Sequence, residues 1–173
     1  IPQISDFQAG DDAWRRVDDG VYDIRFADAS GFNLDRVQIS VSTTPGGLGT
    51  DLVPFTNAVI NLAPLDVYAT PFSLPAGAFN AMLEGVTNYV TVRVYNNVPS
   101  TNTLVDAFYV RKDTTAPLFT NAEAGGDAVV QIAPGRLYNL TARDTASGLD
   151  VFQYSASLTP GGDASLIGWT DIA

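Results

Sequence analysis

The chain is organised around a joint, VRKDTTAP at residues 110–117, because the sequence before this joint is restated after it. A strand-like run ends at Val110, a short polar segment follows, and Pro117 begins a second copy. The run QISVSTTPGG at 38–47 has its counterpart in QYSASLTPGG at 153–162, an offset of 115 positions. A repeat of this length predicts two tandem β-domains rather than one large domain.

Apolar and polar residues alternate with a period of two in both copies, which is typical of strands with one buried face. In the first copy we expect the apolar positions of four strands to form the core: Tyr22, Ile24, Phe26, Val37, Ile39, Val41, Val90, Val92, Val94, Phe108 and Val110. Turn-forming residues recur roughly every 8 to 12 positions. The sequence therefore predicts an all-β fold of antiparallel β-sandwiches.

Several segments have a less regular pattern. One further strand is expected near 52–55, and another over 67–74, where Pro71 places it at a sheet edge or beside a bulge. A helical turn is expected only within 76–84. We interpret GGLGT at 46–50 as a turn and not as a phosphate-binding loop, because no helix-forming segment follows it.

The composition excludes several classes of function. The net charge of −10, with one lysine and eight arginines, leaves no basic stripe for nucleic acid or an anionic membrane surface. Cysteine and histidine are absent, which removes disulfides, thiol nucleophiles, histidine metal sites and the usual general base. No apolar run approaches the roughly 20 residues of a membrane-spanning helix, so no membrane insertion is expected.

Enzymatic activity is not expected. No Gly-x-Ser-x-Gly motif is present, and the chain has no histidine to activate a serine. A catalytic carboxylate pair stays open, because the spacing that matters for such a pair is spatial. The nineteen acidic residues are scattered over turns, however, where carboxylates ordinarily accept hydrogen bonds from the backbone.

The joint DTTAP at 113–117 and the run LTARDTASGLDVFQYS at 140–155 resemble the Big-type immunoglobulin-like repeats of bacterial and archaeal surface proteins. Such repeats commonly join through a valine strand that runs into Asp-Thr-Thr-Ala-Pro, and they carry an alanine, an aspartate and a Ser-Gly turn between their second and third strands. The first copy departs from this pattern, because Arg111 and Lys112 separate its last valine from Asp113. The resemblance implies an extracellular, non-catalytic spacer, adhesive or shell-forming module.

Pattern and resemblance together predict tandem immunoglobulin-like antiparallel β-sandwiches, the second one incomplete. The expected domains are a sandwich over residues 1–112, a linker at 113–116 and the N-terminal half of a second sandwich at 117–173. The expected function is that of a structural module in an extracellular or cell-surface repeat protein, such as a fibre, a surface layer or an adhesin stalk. It would act as a spacer and contact other copies of the chain or neighbouring repeats. The alternative is a carbohydrate-binding module attached to a secreted enzyme.

Calcium is the cofactor hypothesis that the sequence suggests. Asp113 lies in the joint, and Asp144 and Asp150 flank the Ser-Gly turn of the second copy. In an immunoglobulin-like sandwich this turn lies at the end where the chain enters, so the three carboxylates are expected to approach one another and offer the oxygen ligands that calcium prefers. The competing interpretation is that each aspartate only forms a turn through its own backbone hydrogen bonds.

A contact surface is expected on the strand at 89–95, where Tyr89, Arg93 and Tyr95 share the outward face. The tyrosine rings could stack on a glycan or on a neighbouring subunit, and plain cross-strand packing is the alternative. Asn139 begins a formal glycosylation sequon, although a sequon within a strand is usually unused.

The second copy has no equivalent of the strands at 67–74, 89–95 and 104–110 when the two copies are aligned on Thr-Pro-Gly-Gly. Its apolar residues are therefore expected to face water on a sheet with open edges, namely Tyr138, Leu140, Phe152 and Tyr154. Two explanations are open: the chain is a fragment of a longer repeat protein, or another chain donates the missing strands by β-strand addition.

Overall fold

The chain is nearly all β, as predicted, and it forms several antiparallel sheets. The structure is a computed structural model, and it describes residues 1–8, 13–47, 51–122, 138–161 and 166–172. Two compact units are present, residues 1–115 and residues 116–173.

The first unit is built from two sheets and a short helix. Its described strands are β1 (Gln3–Asp6), β2 (Trp14–Arg15), β3 (Ile24–Ala27), β4 (Leu34–Ser42), β5 (Asp51–Val59), β6 (Val67–Tyr68), β7 (Thr87–Asn96) and β8 (Thr101–Lys112). One sheet has the strand order β1-β3-β6, and the other has the order β2-β8-β7-β4-β5. The short strand β2 runs parallel to β8, whereas the other described pairs in this unit are antiparallel.

The core of the first unit lies between the two sheets and is the one that the sequence predicts. All eleven predicted core residues are buried, and the most exposed of them, Phe108, is only 3% exposed. The ring of Tyr22, next to β3, stacks on Phe108 of β8 with 3.9 Å between the centroids. Each fully buried side chain of this size contributes about 1.5–3 kcal/mol relative to an exposed one. The alternation pattern therefore identified the residues on which the stability of this unit depends.

The irregular segments add core residues that the alternation did not reveal. They are Leu62, Phe72, Leu74, Phe79 and Met82, of which Phe79 lies on the helix α1 (Ala76–Ala81), inside the segment where a helical turn was predicted. The strand expected over 67–74 is β6, at the edge of its sheet, followed after Pro71 by an isolated bridge from Phe72 to Tyr22. The strand expected near 52–55 is longer and forms β5.

The predicted turn after β4 begins with a single 3-10 turn over Pro45–Gly47. Gly46 and Gly47 have positive φ values of 79° and 66°, a conformation that glycine adopts without the steric cost of a Cβ atom. The rest of the segment interpreted as a turn, residues 48–50, lies outside the described residues.

The second unit has two antiparallel strand pairs among its described residues. β9 (Leu118–Asn121) pairs with β10 (Leu140–Arg143), and β11 (Gln153–Ala156) pairs with β12 (Ile167–Asp171). Phe119 faces Ala142 across the first pair, as Ile4 faces Phe26 across β1 and β3 at the equivalent positions. The two copies thus share a strand register as well as a sequence pattern.

The second strand pair repeats β4 and β5 in finer detail. The register shift between Ile39 and Val41 of β4 recurs between Tyr154 and Ala156 of β11, at the offset of 115 positions. The cross-strand hydrogen bond from Gln38 Nε2 to Asn57 Oδ1, 3.0 Å long, recurs from Gln153 Nε2 to Asp171 Oδ1 at 2.7 Å. The strands β9, β10, β11 and β12 therefore correspond to β1, β3, β4 and β5.

The apolar residues of the second unit are more exposed than their counterparts in the first. Tyr138 is 55% exposed, Leu140 36% and Tyr154 45%, which confirms the expectation that they face water. Phe152 is half-buried, and its ring lies 5.8 Å from that of Phe119. Among the residues that the structure describes, only the first unit therefore buries its apolar side chains between two sheets.

Truncation of Ile39 should therefore destabilise the first unit strongly. We expect Ile39→Ala to lower its free energy of unfolding by about 2–5 kcal/mol, because the substitution leaves a cavity between the sheets. The neighbouring Gln38→Ala, which removes one exposed hydrogen bond, should cost less than about 1 kcal/mol. Urea denaturation followed by Trp14 fluorescence in a Trp169→Phe background measures both, and equal losses would contradict the assigned core.

Candidate functional site

The predicted contact residues Tyr89, Arg93 and Tyr95 lie on the outward face of β7, where they alternate with buried valines. All three are half-buried, because side chains from neighbouring strands pack beside them. We call this surface of the five-stranded sheet the outer face and define it by these residues: Trp14, Arg36, Phe55, Tyr89, Arg93, Tyr95, Thr103, Tyr109 and Arg111.

Arginines cover two of the aromatic rings of the outer face. The guanidinium carbon of Arg36 lies 3.8 Å from the centre of the Tyr95 ring, and that of Arg93 lies 3.5 Å from the centre of the Phe55 ring. Arg93 also donates a hydrogen bond of 3.1 Å from Nε to Thr103 Oγ1. Contacts of this kind contribute about 0.5–1 kcal/mol each at exposed sites. These contacts hold each arginine against a ring on another strand of the same sheet.

The other end of the outer face is a row of rings around Arg111. Tyr89 meets Tyr109 across the β7–β8 pair with ring centroids 6.5 Å apart and a tilt of 58°. The guanidinium carbon of Arg111 lies 5.8 Å from the Tyr109 ring and 5.9 Å from the Trp14 ring. The two predicted tyrosines are therefore members of a larger set of packed rings and arginines.

The alternation pattern predicts only the β7 members of the outer face. Arg36 and Phe55 are far from β7 in the sequence and reach it only through the order β7-β4-β5, and the strand containing Phe55 has a blurred pattern. Trp14 joins through the parallel pairing of β2 with β8. The strand pairing, once known, would have been the signal that places these residues together.

Lys112, the single lysine of the chain, lies buried at the end of β8. Its Nζ donates hydrogen bonds to the carbonyl oxygens of Asn80 and Met82 at 3.3 and 3.1 Å, and it lies 3.2 Å from Glu84 Oε1. Carbonyl groups at the end of a helix favour a positive charge, so Lys112 satisfies the C-terminal end of α1. These contacts compensate for the burial of the Lys112 ammonium group.

Glu84 connects Lys112 to the joint. Its carboxylate accepts hydrogen bonds from the Thr114 backbone N–H at 2.8 Å and from Thr114 Oγ1 at 2.7 Å. Loss of solvation raises the pKa of Glu84, but the Thr114 hydrogen bonds and Lys112 outweigh it and bring that pKa below its ordinary value. We call Lys112, Glu84 and Thr114 the clasp, because they tie the joint to the first unit.

Asp113, a predicted calcium ligand, is buried and forms a turn. Its backbone N–H donates to the Arg15 carbonyl at 3.0 Å, and its Oδ1 accepts hydrogen bonds from the N–H and the hydroxyl of Thr115 at 3.1 and 2.5 Å. This arrangement, with the clasp, makes residues 113–115 part of the first unit.

Asp144 is also a turn former, since its Oδ1 accepts hydrogen bonds from the N–H groups of Ala146 and Gly148 at 2.9 and 3.3 Å. Asp150 is exposed. Among the residues that the structure describes, no group of three or more acidic side chains is arranged to hold a metal ion. The calcium hypothesis stays a prediction, and the observed hydrogen bonds at Asp113 and Asp144 are those of the competing interpretation.

Asp28, the counterpart of Asp144 in the first unit, shows what this repeated aspartate does inside a complete sandwich. It is 2% exposed, and it accepts hydrogen bonds from the Ser30 hydroxyl, from the Ser30 N–H at 2.9 Å and from Asn96 Nδ2 at 2.6 Å. The hydrogen bond from the Ser30 hydroxyl is the main cause that lowers the pKa of Asp28. The side chain is therefore held ionised between β3 and the end of β7.

Searches against protein-family models, curated proteins and solved structures found no match to this chain. In the described part of the chain, no helix has the length and apolar character needed to cross a membrane.

The clasp should make the stability of the first unit depend on pH. Because the pKa of Glu84 is lowered in the folded state, its stabilising effect is present above the ordinary value of 4.5 and is lost as the pH falls through the folded-state value. We expect Glu84→Gln to cost about 0.5–1 kcal/mol at pH 7, because the Glu84 side chain is 37% exposed and water screens its charge, and to cost progressively less below pH 4.5. Thermal unfolding from pH 7 to pH 3 measures this, and a difference that grows on acidification would contradict the clasp.

Asp144→Asn separates the turn interpretation from the calcium hypothesis. Asparagine keeps the acceptor oxygen and forms such turns readily, but it removes the negative charge that calcium requires. We expect wild type and variant to unfold at the same denaturant concentration, with or without millimolar calcium. A calcium-dependent gain in stability that appears only in the wild type would instead establish the metal site.

Proposed function

We propose that this chain is a structural, non-catalytic module of an extracellular or cell-surface repeat protein, which acts as a spacer and contacts neighbouring subunits. The observation that carries the proposal is the repetition of strand register, bulge and cross-strand hydrogen bond between the two units. Repetition of one supersecondary unit is the principle of proteins that build length from similar modules.

The strand order of the first unit supports an immunoglobulin-like plan. In the constant-type plan the first, second, fourth and fifth strands share one sheet, and the third, sixth and seventh share the other; the variable type adds further strands to this second sheet. Here β1, β3 and β6 form one sheet, and β4, β7 and β8 lie side by side in the other, with β5 beside β4. The early part of the chain contributes to both sheets, through β1 in one and β2 in the other.

The clasp supports a spacer role. A spacer transmits force and direction best when its chain leaves each domain in a fixed path. The hydrogen bonds of Asp113 to the Arg15 carbonyl and of Thr114 to Glu84 hold the chain against the first unit, just before its boundary at residue 115. The joint, which resembles that of Big-type immunoglobulin-like repeats, is thereby packed against the first unit.

The shifted pKa values support a non-catalytic role. Asp28 and Glu84 have lowered pKa values because they accept hydrogen bonds, which keeps them ionised and does not prepare them to deliver a proton. The pKa of Asp18 is raised by its burial and by the neighbouring Asp19, in a segment of turns. Each shift has a structural cause.

The outer face is the contact surface of the proposal. It carries three of the eight arginines on a chain with a net charge of −10, so it suits the acidic surface of a neighbouring copy. Rings of Tyr95 and Phe55 that already bear a guanidinium cannot offer the same face to a sugar. This arrangement favours a protein contact over the alternative of glycan stacking.

The proposal is tested by charge reversal on the outer face. We expect Arg93→Glu to abolish ordered filaments or sheets of the native repeat protein in electron micrographs, because it places repulsion at the contact. The matched control is Arg25→Glu, an equal change at an exposed position on the other sheet, which should leave assembly intact. Assembly that tolerates both changes would remove the outer face from the proposal, and glycan binding lost on Tyr95→Ala would favour the carbohydrate-binding alternative.

A further inference from the structure

The strand β11 of the second unit has one edge without a strand partner among the described residues. Its counterpart β4 lies between β5 and β7, and the inward residues of β4 are fully buried. Within the described ranges β11 pairs with β12 alone, and its inward residue Tyr154 is 45% exposed. A strand edge presents a row of backbone donors and acceptors that another strand can satisfy.

We propose that this edge of β11 is a docking site for a β-hairpin with the residue pattern of β7 and β8. The occupant is named by the repeat itself, because β11 and β4 share register, bulge and hydrogen bonds, and β7 is the strand that covers β4. The β7 and β8 strands of the first unit are committed to their own core, so the hairpin comes from another segment with the same pattern. Strand pairing and the exposure of Tyr154 support this docking site independently of the proposed function.

The register of docking follows from the β4–β7 pair. Val92 faces Ile39, Val90 faces Val41 and Arg93 faces Gln38. Transferred by 115 positions, these pairs place a β-branched residue opposite Tyr154 and another opposite Ala156, with an arginine opposite Gln153. The occupant would close the exposed side of Tyr154 and pair the backbone of Gln153–Ala156 in the antiparallel sense.

Trp169 gives an independent reason for an arginine in the occupant. Trp169 lies two residues before Asp171, as Phe55 lies two residues before Asn57. Asn57 and Asp171 are equivalent, because each accepts the cross-strand hydrogen bond from the glutamine of its own unit. In the first unit Arg93 covers Phe55 at 3.5 Å, whereas Trp169 is 71% exposed. Tryptophan is the aromatic residue that binds cations best, so the docked arginine would lie over its indole ring.

The experiment uses the full chain with Trp14→Phe, which leaves Trp169 as the only tryptophan. The probe is a synthetic peptide of residues 87–112. We expect the peptide to change the Trp169 fluorescence and to protect the amides of Gln153–Ala156 from hydrogen exchange. An Arg93→Gln peptide should still protect these amides but lose most of the fluorescence change, because it lacks the cation.

Two variants of β11 form the matched control. Tyr154→Lys places a charge on the inward face and should weaken peptide binding at least about tenfold. Ser155→Lys places the same charge on the outward face and should change the affinity less than about threefold. Equal weakening by both variants, or no protection of Gln153–Ala156 at any peptide concentration, would overturn the proposal.

A second copy of the chain is the rival occupant. If the edges of two copies paired, protection of Gln153–Ala156 would rise with protein concentration in the absence of peptide, and added peptide would not change it. Sedimentation of the chain alone measures the same association. That result would also overturn the proposal, and a monomeric chain that becomes protected only with the peptide would uphold it.

Discussion

The first unit depends on the position of β7 between β4 and β8. Val90, Val92 and Val94 are fully buried, and their strand is hydrogen-bonded along both edges. The second unit shows the same strand register where no such strand is described, and there the inward Tyr154 stands exposed. Pairing of β4 with β5 is therefore compatible with an open sheet, whereas burial of the β4 side chains requires β7. Pairing of consecutive strands thus forms the β4–β5 pair, and the central strand β7 completes the core.

Polar groups define where β7 begins and ends. Asn88 is fully buried, and its amide bonds to the backbone of Leu83, Val86 and Val110, with distances between 3.0 and 3.3 Å. At the other end Asn96 donates to the buried Asp28. A buried polar group without partners is costly, so these satisfied bonds favour one register over its neighbours. A slip of one residue would turn the valines outward and leave both asparagines unpaired.

The sequence was most informative where one pattern determined one contact. Alternation identified Ile39 and Val92 as core residues because a strand has only two faces. It did not identify Phe79 or Met82, since a short helix and its loop present no period that a few residues can establish. The outward position of Arg93 was predictable, but its contact with Phe55 depends on a side chain two strands away. The sequence left the role of Asp113 open between a turn former and a calcium ligand, because a carboxylate in a turn and a carboxylate on a cation have the same sequence signature.

The repeat explains why one sequence motif has different structural consequences in its two copies. Asp28 and Asp144 occupy the same turn and accept the same local N–H bond, from Ser30 and Ala146. Only Asp28 also receives Asn96 from the end of β7, and it is buried, whereas Asp144 is half-buried. The turn is therefore encoded locally, and its burial is supplied by a distant strand. A segment that pairs with β11 and has the pattern of β7 would bring the side chain at its end, equivalent to Asn96, toward Asp144. The second unit therefore already holds, in the Asp144 carboxylate, the hydrogen-bond acceptor for that side chain.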